Sequence, residues 1–306
     1  MELLRTPDER FACLPGMAGQ PFAPHWLDDL PGVEGVRIHY LDTAPADASR
    51  SIALCLHGNP TWCYLYRRML PGLARAGFRV VAPDLAGFGR SDKPVDAAWH
   101  AFERHRQMLL GFVERLDLAR VSLVVQDWGG LLGLTLPMAA PARYERLLAM
   151  NTAFATGEIG DGFRAWRAYS ERTPDLPVGA LLARGKPDMT AGEIAAYDAP
   201  FPDARYKAAL RAFPALVPDA QRGTPADRAA IALSLQARDW FARDWTGESF
   251  VACGMQDPVF SPPTMRAFAA GLRGAPGLHE LPHAGHFVQE WGESVVDAAL
   301  ARWGLA

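Results

Sequence analysis

Basic blocks, paired cysteines and long apolar runs are all scarce in this chain, and each scarcity removes a class of function. The 31 basic and 34 acidic side chains are interspersed and leave a net charge of −3, so nothing marks nucleic acid or an anionic membrane as a partner. Cys13, Cys55, Cys63 and Cys253 form no CxxC or zinc-like spacing. Cys55 and Cys253 sit in strand-like apolar runs, where a free thiol behaves as a small hydrophobe, and a reducing cytoplasm is the compartment expected. Met1 to Arg10 has no apolar core of a secretory signal. The uncharged stretch Trp128 to Ala142 contains Pro137 and falls short of the ~20 residues that span a bilayer. No internal repeat or low-complexity tract is evident.

What remains is 306 residues, 49% of them hydrophobic, enough for one large core with an insertion. Strand-like runs at Arg37–Leu41, Ser51–Leu56, Phe78–Ala82, Val121–Val125 and Arg146–Met150 alternate with helical patterns. A helix is expected over Tyr64–Ala76. In the next one Phe102, Leu109, Phe112, Val113 and Leu116 share a face at helical spacing. Apolar strands alternating with helices predict a mostly parallel, doubly wound sheet covered on both faces. From about Ala153 the strands stop. Helix starts recur instead, at Asp161, at the Thr190/Glu193 capping box and at Thr224-Pro225, the last opening a helix that reaches Arg243. Strands resume at Ser249–Cys253 and Leu278–Leu281, with helices near Pro263–Leu272 and after Phe287. The division expected is a core of 1–152 and 224–306 and a helical cap of 153–223.

One tetrad carries the chemistry. Gln126-Asp127-Trp128-Gly129 lies where an apolar strand gives way to a glycine-rich helix, the setting of the nucleophile elbow in α/β-hydrolases. Aspartate there is already ionised at neutral pH, so it needs no base to attack carbon and form an ester. Two late loops, around Asp257 and around His286, should reach the same sheet edge. That gives nucleophile, acid and base in the order Asp127, Asp257, His286. The backbone N–H groups of Asn59 and Trp128 would form the oxyanion hole. His283 and His57 are read as structural, and no further ligand is spaced to make His283 and His286 a metal site. Gly87-Phe88-Gly89 lacks the third glycine of a dinucleotide loop.

The strings VVQDWGG, HGNPTWCYLYRRML, DLAGFGRSDKP, DAPFPD, GMQDP and HAGHFVQE resemble the haloalkane dehalogenases of the α/β-hydrolase fold. They are similar to the branch with an aspartate acid after a late strand and two tryptophans for halide. The resemblance runs from about Arg5 to Trp303. It implies hydrolysis of short haloalkanes to alcohol, halide and a proton through an ester on Asp127, with His286 as base and Asp257 as acid. It also implies Trp128 and Trp166 as halide donors, Leu131 and Phe163 in the pocket wall, no cofactor or metal, and a monomer whose partners are haloalkane, water and halide. Two departures stand out. Asn59 occupies a position where many relatives of this branch have glutamate and other branches have a halide-binding asparagine, so it is a third donor or a replacement for Trp166. Leu131 stands where some relatives have an aromatic, which leaves pocket width open. Asn151, where another branch places its acid, is not acidic.

The alternatives are an epoxide hydrolase, which would need cap tyrosine hydroxyls such as Tyr169, Tyr197 or Tyr206, and a catalytically silent α/β-hydrolase acting as a binding protein.

Overall fold

The computed structural model describes residues 1–17, 23–43 and 50–306. Its main sheet has strands β1 (Ala23–Leu27), β2 (Ile38–Asp42), β3 (Ile52–Leu56), β4 (Arg79–Pro83), β5 (Val121–Gln126), β6 (Tyr144–Met150), β7 (Glu248–Gly254) and β8 (His279–Leu281). They run in the order β8-β7-β6-β5-β3-β4-β2-β1. All neighbours from β4 to β8 are parallel; β2 is antiparallel to both β4 and β1. Every residue of β3, β4 and β5 is buried. Their apolar runs therefore do not alternate, because helices cover both faces.

Two features differ from the sequence-based expectation. Strand β1 has Pro24 and no apolar alternation, and it exists because it lies at the sheet edge, where a missing N–H costs no ladder bond. The single helix expected at Tyr64–Ala76 is a 3-10 turn, Cys63–Arg68, followed by α1 (Leu70–Arg75). Pro71 accounts for the break, since its ring and lost N–H are tolerated only in a first helical turn. Helix α2 (Phe102–Arg115) buries Phe102, Leu109, Phe112 and Val113 as expected, and α3 (Trp128–Gly133) follows β5.

Between β6 and the long helix α8 (Pro225–Arg243) lie α4 (Asp161–Arg172), α5 (Val178–Gly185), α6 (Ala191–Asp198) and α7 (Ala208–Leu216), without a strand. Thr190 caps α6 and Thr224 caps α8 through reciprocal capping boxes with Glu193 and Asp227. Helices α9 (Pro262–Gly271) and α10 (Gly292–Arg302) complete the core. Among the described residues no helix is long and apolar enough to cross a membrane.

A buried charge network fastens α6 to the core. Arg67 donates to both carboxylate oxygens of Glu290 at 2.7 Å and to Glu193 at 2.9 Å, while Arg68 reaches Glu193 at 2.6 Å. Tyr197 Oη donates to Glu290. The first residues of the chain lie along the same helix end. Thr6 Oγ1 donates to the Pro200 carbonyl at 2.6 Å and Arg10 to the Ala199 carbonyl at 2.7 Å. Removing one member of a buried pair leaves the other charge uncompensated. Glu290→Gln is therefore expected to cost roughly 3 kcal/mol, because Glu193 still faces Arg67. Urea unfolding of the two proteins side by side measures it; an unchanged midpoint would show that the network contributes nothing net.

Candidate active site

Asp127 sits at the junction of β5 and α3 with φ 51° and ψ −125°. A side chain in that region is strained by about 1–3 kcal/mol and persists only when its surroundings enforce it. Here they do. The Asp127 N–H donates to the Asn151 carbonyl at 3.1 Å, and its own carbonyl accepts from Gly130 and Leu131 N–H at 2.9 Å each. Thr152 Oγ1 adds a further bond to that carbonyl at 2.9 Å. The turn also needs bare backbone beside it: a Cβ on Gly129 would fall 1.9 Å from the Leu56 carbonyl oxygen, and one on Gly58 would fall 2.2 Å from Asp127 Oδ1.

The sheet order reverses between β3 and β5, which opens a crevice at their C-terminal ends. Asn59, just past β3, donates its backbone N–H to Asp127 Oδ1 at 2.8 Å. Trp128, whose N–H is expected as the second donor, opens α3 directly after Asp127. On the other side Asp127 Oδ2 lies 3.6 Å from His286 Nε2, beyond hydrogen-bonding distance. His286 Nδ1 bonds Asp257 Oδ2 at 2.8 Å. Asp257 is further held by the Val259 N–H at 2.7 Å and the Asn151 amide at 2.7 Å. Burial alone would raise the pKa of Asp257, but His286 and these donors hold it below the ordinary carboxylate value. Burial would likewise lower His286, yet the carboxylates of Asp257 and Asp127 outweigh it and raise its proton affinity.

Asp127, Asn59 and His286 form the floor of a cavity of about 340 Å³. Helices α4 and α5 supply Phe163, Trp166, Tyr169, Leu181 and Arg184 to its wall, together with Val259 and Phe287. An adjoining cavity of about 360 Å³ also opens on Asp127 and contains Leu131 and Phe163. A larger one, about 490 Å³ beside Phe11 and Trp62, contains none of these residues. Trp128 lines neither cavity at Asp127. It is buried, its ring 4.7 Å from Phe213 and 6.0 Å from Phe102. Both Asn59 side-chain polar atoms are buried without a protein partner, which is uncommon and calls for a ligand or water.

His57 accepts the Leu85 N–H at 3.0 Å through Nε2, bracing the loop below the site. Tyr197 is committed to Glu290, and Tyr206 lines neither cavity at Asp127, so Tyr169 is the cap tyrosine on the wall. A buried cluster of His39, Cys63 and Asp84 brings three groups with metal-ligand chemistry together. The Asp84 carboxylate there is already occupied by His39 Nδ1 and by the Cys63 and Arg90 N–H groups. Sequence reasoning left Gln126 and Asn151 without roles, and Arg184 unmentioned. Polarity at the end of an apolar strand was the available signal for Gln126.

The chain matches a model of the alpha/beta hydrolase fold family over residues 54–293. It is 41% identical over 298 residues to a haloalkane dehalogenase of Psychrobacter cryohalolentis, covering 95% of this chain and 94% of that one. The chain belongs to the haloalkane dehalogenases. "Haloalkane dehalogenase 1" of Mycobacterium tuberculosis is 40% identical, with all of both chains covered. Among solved structures, the tetrameric haloalkane dehalogenase DpaA of Paraglaciecola agarilytica superposes with a TM-score of 0.91 at 43% identity over 98% of each chain. The haloalkane dehalogenase DbeA of Bradyrhizobium elkani gives 0.73 at 25% identity, over 93% of this chain and 98% of that one. As a haloalkane dehalogenase this protein is a hydrolase acting on carbon–halide bonds, with the α/β-hydrolase fold described above.

In this haloalkane dehalogenase Asn151 ties β6 to the end of β7 and the loop after it, since its Oδ1 also accepts the Gly254 N–H at 2.8 Å. Asn151→Leu strips a donor from a buried charge and an acceptor from a buried N–H. The expected loss is about 1–3 kcal/mol, measured by urea unfolding, together with slower halide release under saturating substrate.

Proposed function

We propose that Asp127 is the nucleophile, His286 the base and Asp257 the acid of a two-step displacement, within a core of 1–152 and 224–306 roofed by a cap of 153–223. An oxygen of the Asp127 carboxylate attacks the halogen-bearing carbon in line. The new C–O bond forms as the carbon–halogen bond breaks, and halide leaves with the bonding pair. Water then adds to Cγ of the ester while His286 Nε2 takes one of its protons. The intermediate collapses, the alcohol oxygen departs with that proton, and the second water proton goes to solvent as the carboxylate is restored. Asp257 stabilises the transient imidazolium, and the backbone N–H groups of Asn59 and Trp128 stabilise the oxyanion.

The observation that carries this reading is the arrangement around Asp127. One carboxylate oxygen is anchored by a backbone N–H at 2.8 Å, and the other faces an imidazole at 3.6 Å across an otherwise largely apolar cavity. Halide needs donors where it develops. The unpartnered Asn59 amide and the Trp166 indole both border the cavity, which supports them as halide donors. Trp128, buried behind the nucleophile, is the third by its place in the family pattern. The substrates are small haloalkanes, and one chain forms the catalytic unit, since all these groups come from it.

Three outcomes are expected. In His286→Phe a brominated substrate leaves its alkyl group on Asp127, seen by peptide mass spectrometry. Steady turnover without that adduct would sink the scheme. In water labelled with heavy oxygen, repeated turnover places the label in the Asp127 carboxylate. Trp166→Phe and Asn59→Ala should each slow halide release roughly 10- to 100-fold, because a hydrogen bond to a charged partner is lost. An effect in one variant alone identifies which side chain is the second donor.

A further inference from the structure

Gln126 is fully buried at the end of β5, next to the nucleophile, and no step described so far uses it. Its Nε2 lies 2.9 Å from His286 Nε2 and 3.1 Å from the His286 carbonyl oxygen. A carbonyl only accepts, so the amide face turned to it must be the NH2 group. The same NH2 faces His286 Nε2, which must then offer its lone pair. Asp257 independently requires the proton on Nδ1. Two neighbours thus select one neutral tautomer. The arrangement has a cost: Gln126 Oε1 is buried with no partner, an unsatisfied acceptor of a kind native structures rarely keep without function.

The groups facing His286 explain why such a device matters. Asp127 approaches from the turn after β5 and Asp257 from the loop after β7, both anionic. Phe260 and Phe287 pack their rings against the imidazole, and from the cap Arg184 and Tyr169 border the same cavity. Two carboxylates favour the imidazolium. A protonated Nε2 would pair with Asp127 Oδ2, tying up the nucleophile and leaving no base for water.

We propose that Gln126 is a positioning residue for the hydrolytic step: its N–H, given to His286 Nε2, holds that nitrogen as an unprotonated acceptor and opposes the imidazolium that would lock Asp127. Protonation would set N–H against N–H, and an amide flip would set Oε1 against the His286 carbonyl. Once Asp127 is a neutral ester, one of the two carboxylates that favour the imidazolium is gone. Water then takes the place of the Gln126 N–H at Nε2, while the amide keeps its bond to the His286 carbonyl. The water proton passes to Nε2 and its oxygen bonds Cγ of Asp127.

This inference rests on the assignment of Asp127 and His286 above, and the experiment separates the two. Halide release and ester on Asp127 are followed across roughly pH 5 to 10, from the range in which histidine ordinarily titrates to the higher one toward which Asp257 and Asp127 push His286, in the native protein, Gln126→Met, Gln126→Glu and His286→Phe. A base whose proton affinity rises works only at higher pH. In Gln126→Met the acid limb should move up by about one pH unit, tenfold in proton affinity, with ester accumulating where the native protein turns over. Gln126→Glu should move it further. An unmoved limb in a folded Gln126→Met, or an equal loss at every pH, overturns the role of Gln126 while ester in His286→Phe keeps the site assignment. No ester in His286→Phe overturns both. Should neither Gln126 variant fold, 15N spectra of the native imidazole decide: a neutral ring protonated at Nδ1 near neutral pH is expected, and an imidazolium overturns the proposal.

Discussion

The strained backbone of Asp127 is stable only because the chain around it leaves no other place to go. Its N–H and carbonyl are bonded into the adjoining strand end and the start of α3, and Gly58 and Gly129 let the end of β3 approach the turn at distances no side chain would permit. Those contacts aim the carboxylate outward, bring the Asn59 N–H to one oxygen, and set the other opposite His286. A residue that relaxed this turn would move all three together. The strain in the bend is offset by packing elsewhere in the sheet, as expected where geometry serves chemistry.

The electrostatics follow from that placement. Three charged or chargeable groups, Asp127, Asp257 and His286, lie together and set one another's proton affinities against the cost of burial, and neutral amides surround them. Asn151 donates to Asp257 and helps keep it anionic. Gln126 donates to His286 from the opposite side. Asn59 contributes its backbone to Asp127 and leaves its side chain unpaired at the cavity. Amides suit this work because they direct hydrogen bonds without adding net charge to a site that already carries much of it.

Much of this was legible in the sequence because the signals were local. The apolar run into Gln126-Asp127-Trp128-Gly129-Gly130 marked strand, bend and helix, and the caps at Thr190 and Thr224 marked helix starts that the structure places there. Strand β1 was not legible, since its pairing depends on an edge position rather than on its residues, and Pro71 divided a segment whose apolar spacing read as one helix. The role of Asn151 was hidden for a different reason. Its partners lie 103 and 106 positions away, and only the sheet brings them together. Trp128 shows the converse: its place in the motif was plain, but its packing on Phe213 depends on how α7 folds over it.

The N-terminal segment has a practical consequence. Thr6 and Arg10 are bound to the backbone just past α6, and Asp8 pairs with Arg90 of the core, so the start of the chain works as a strap between the end of α6 and the sheet. Anything added or trimmed there acts on that strap. A purification tag is therefore not an inert handle on this enzyme but a load placed beside one of its fastenings.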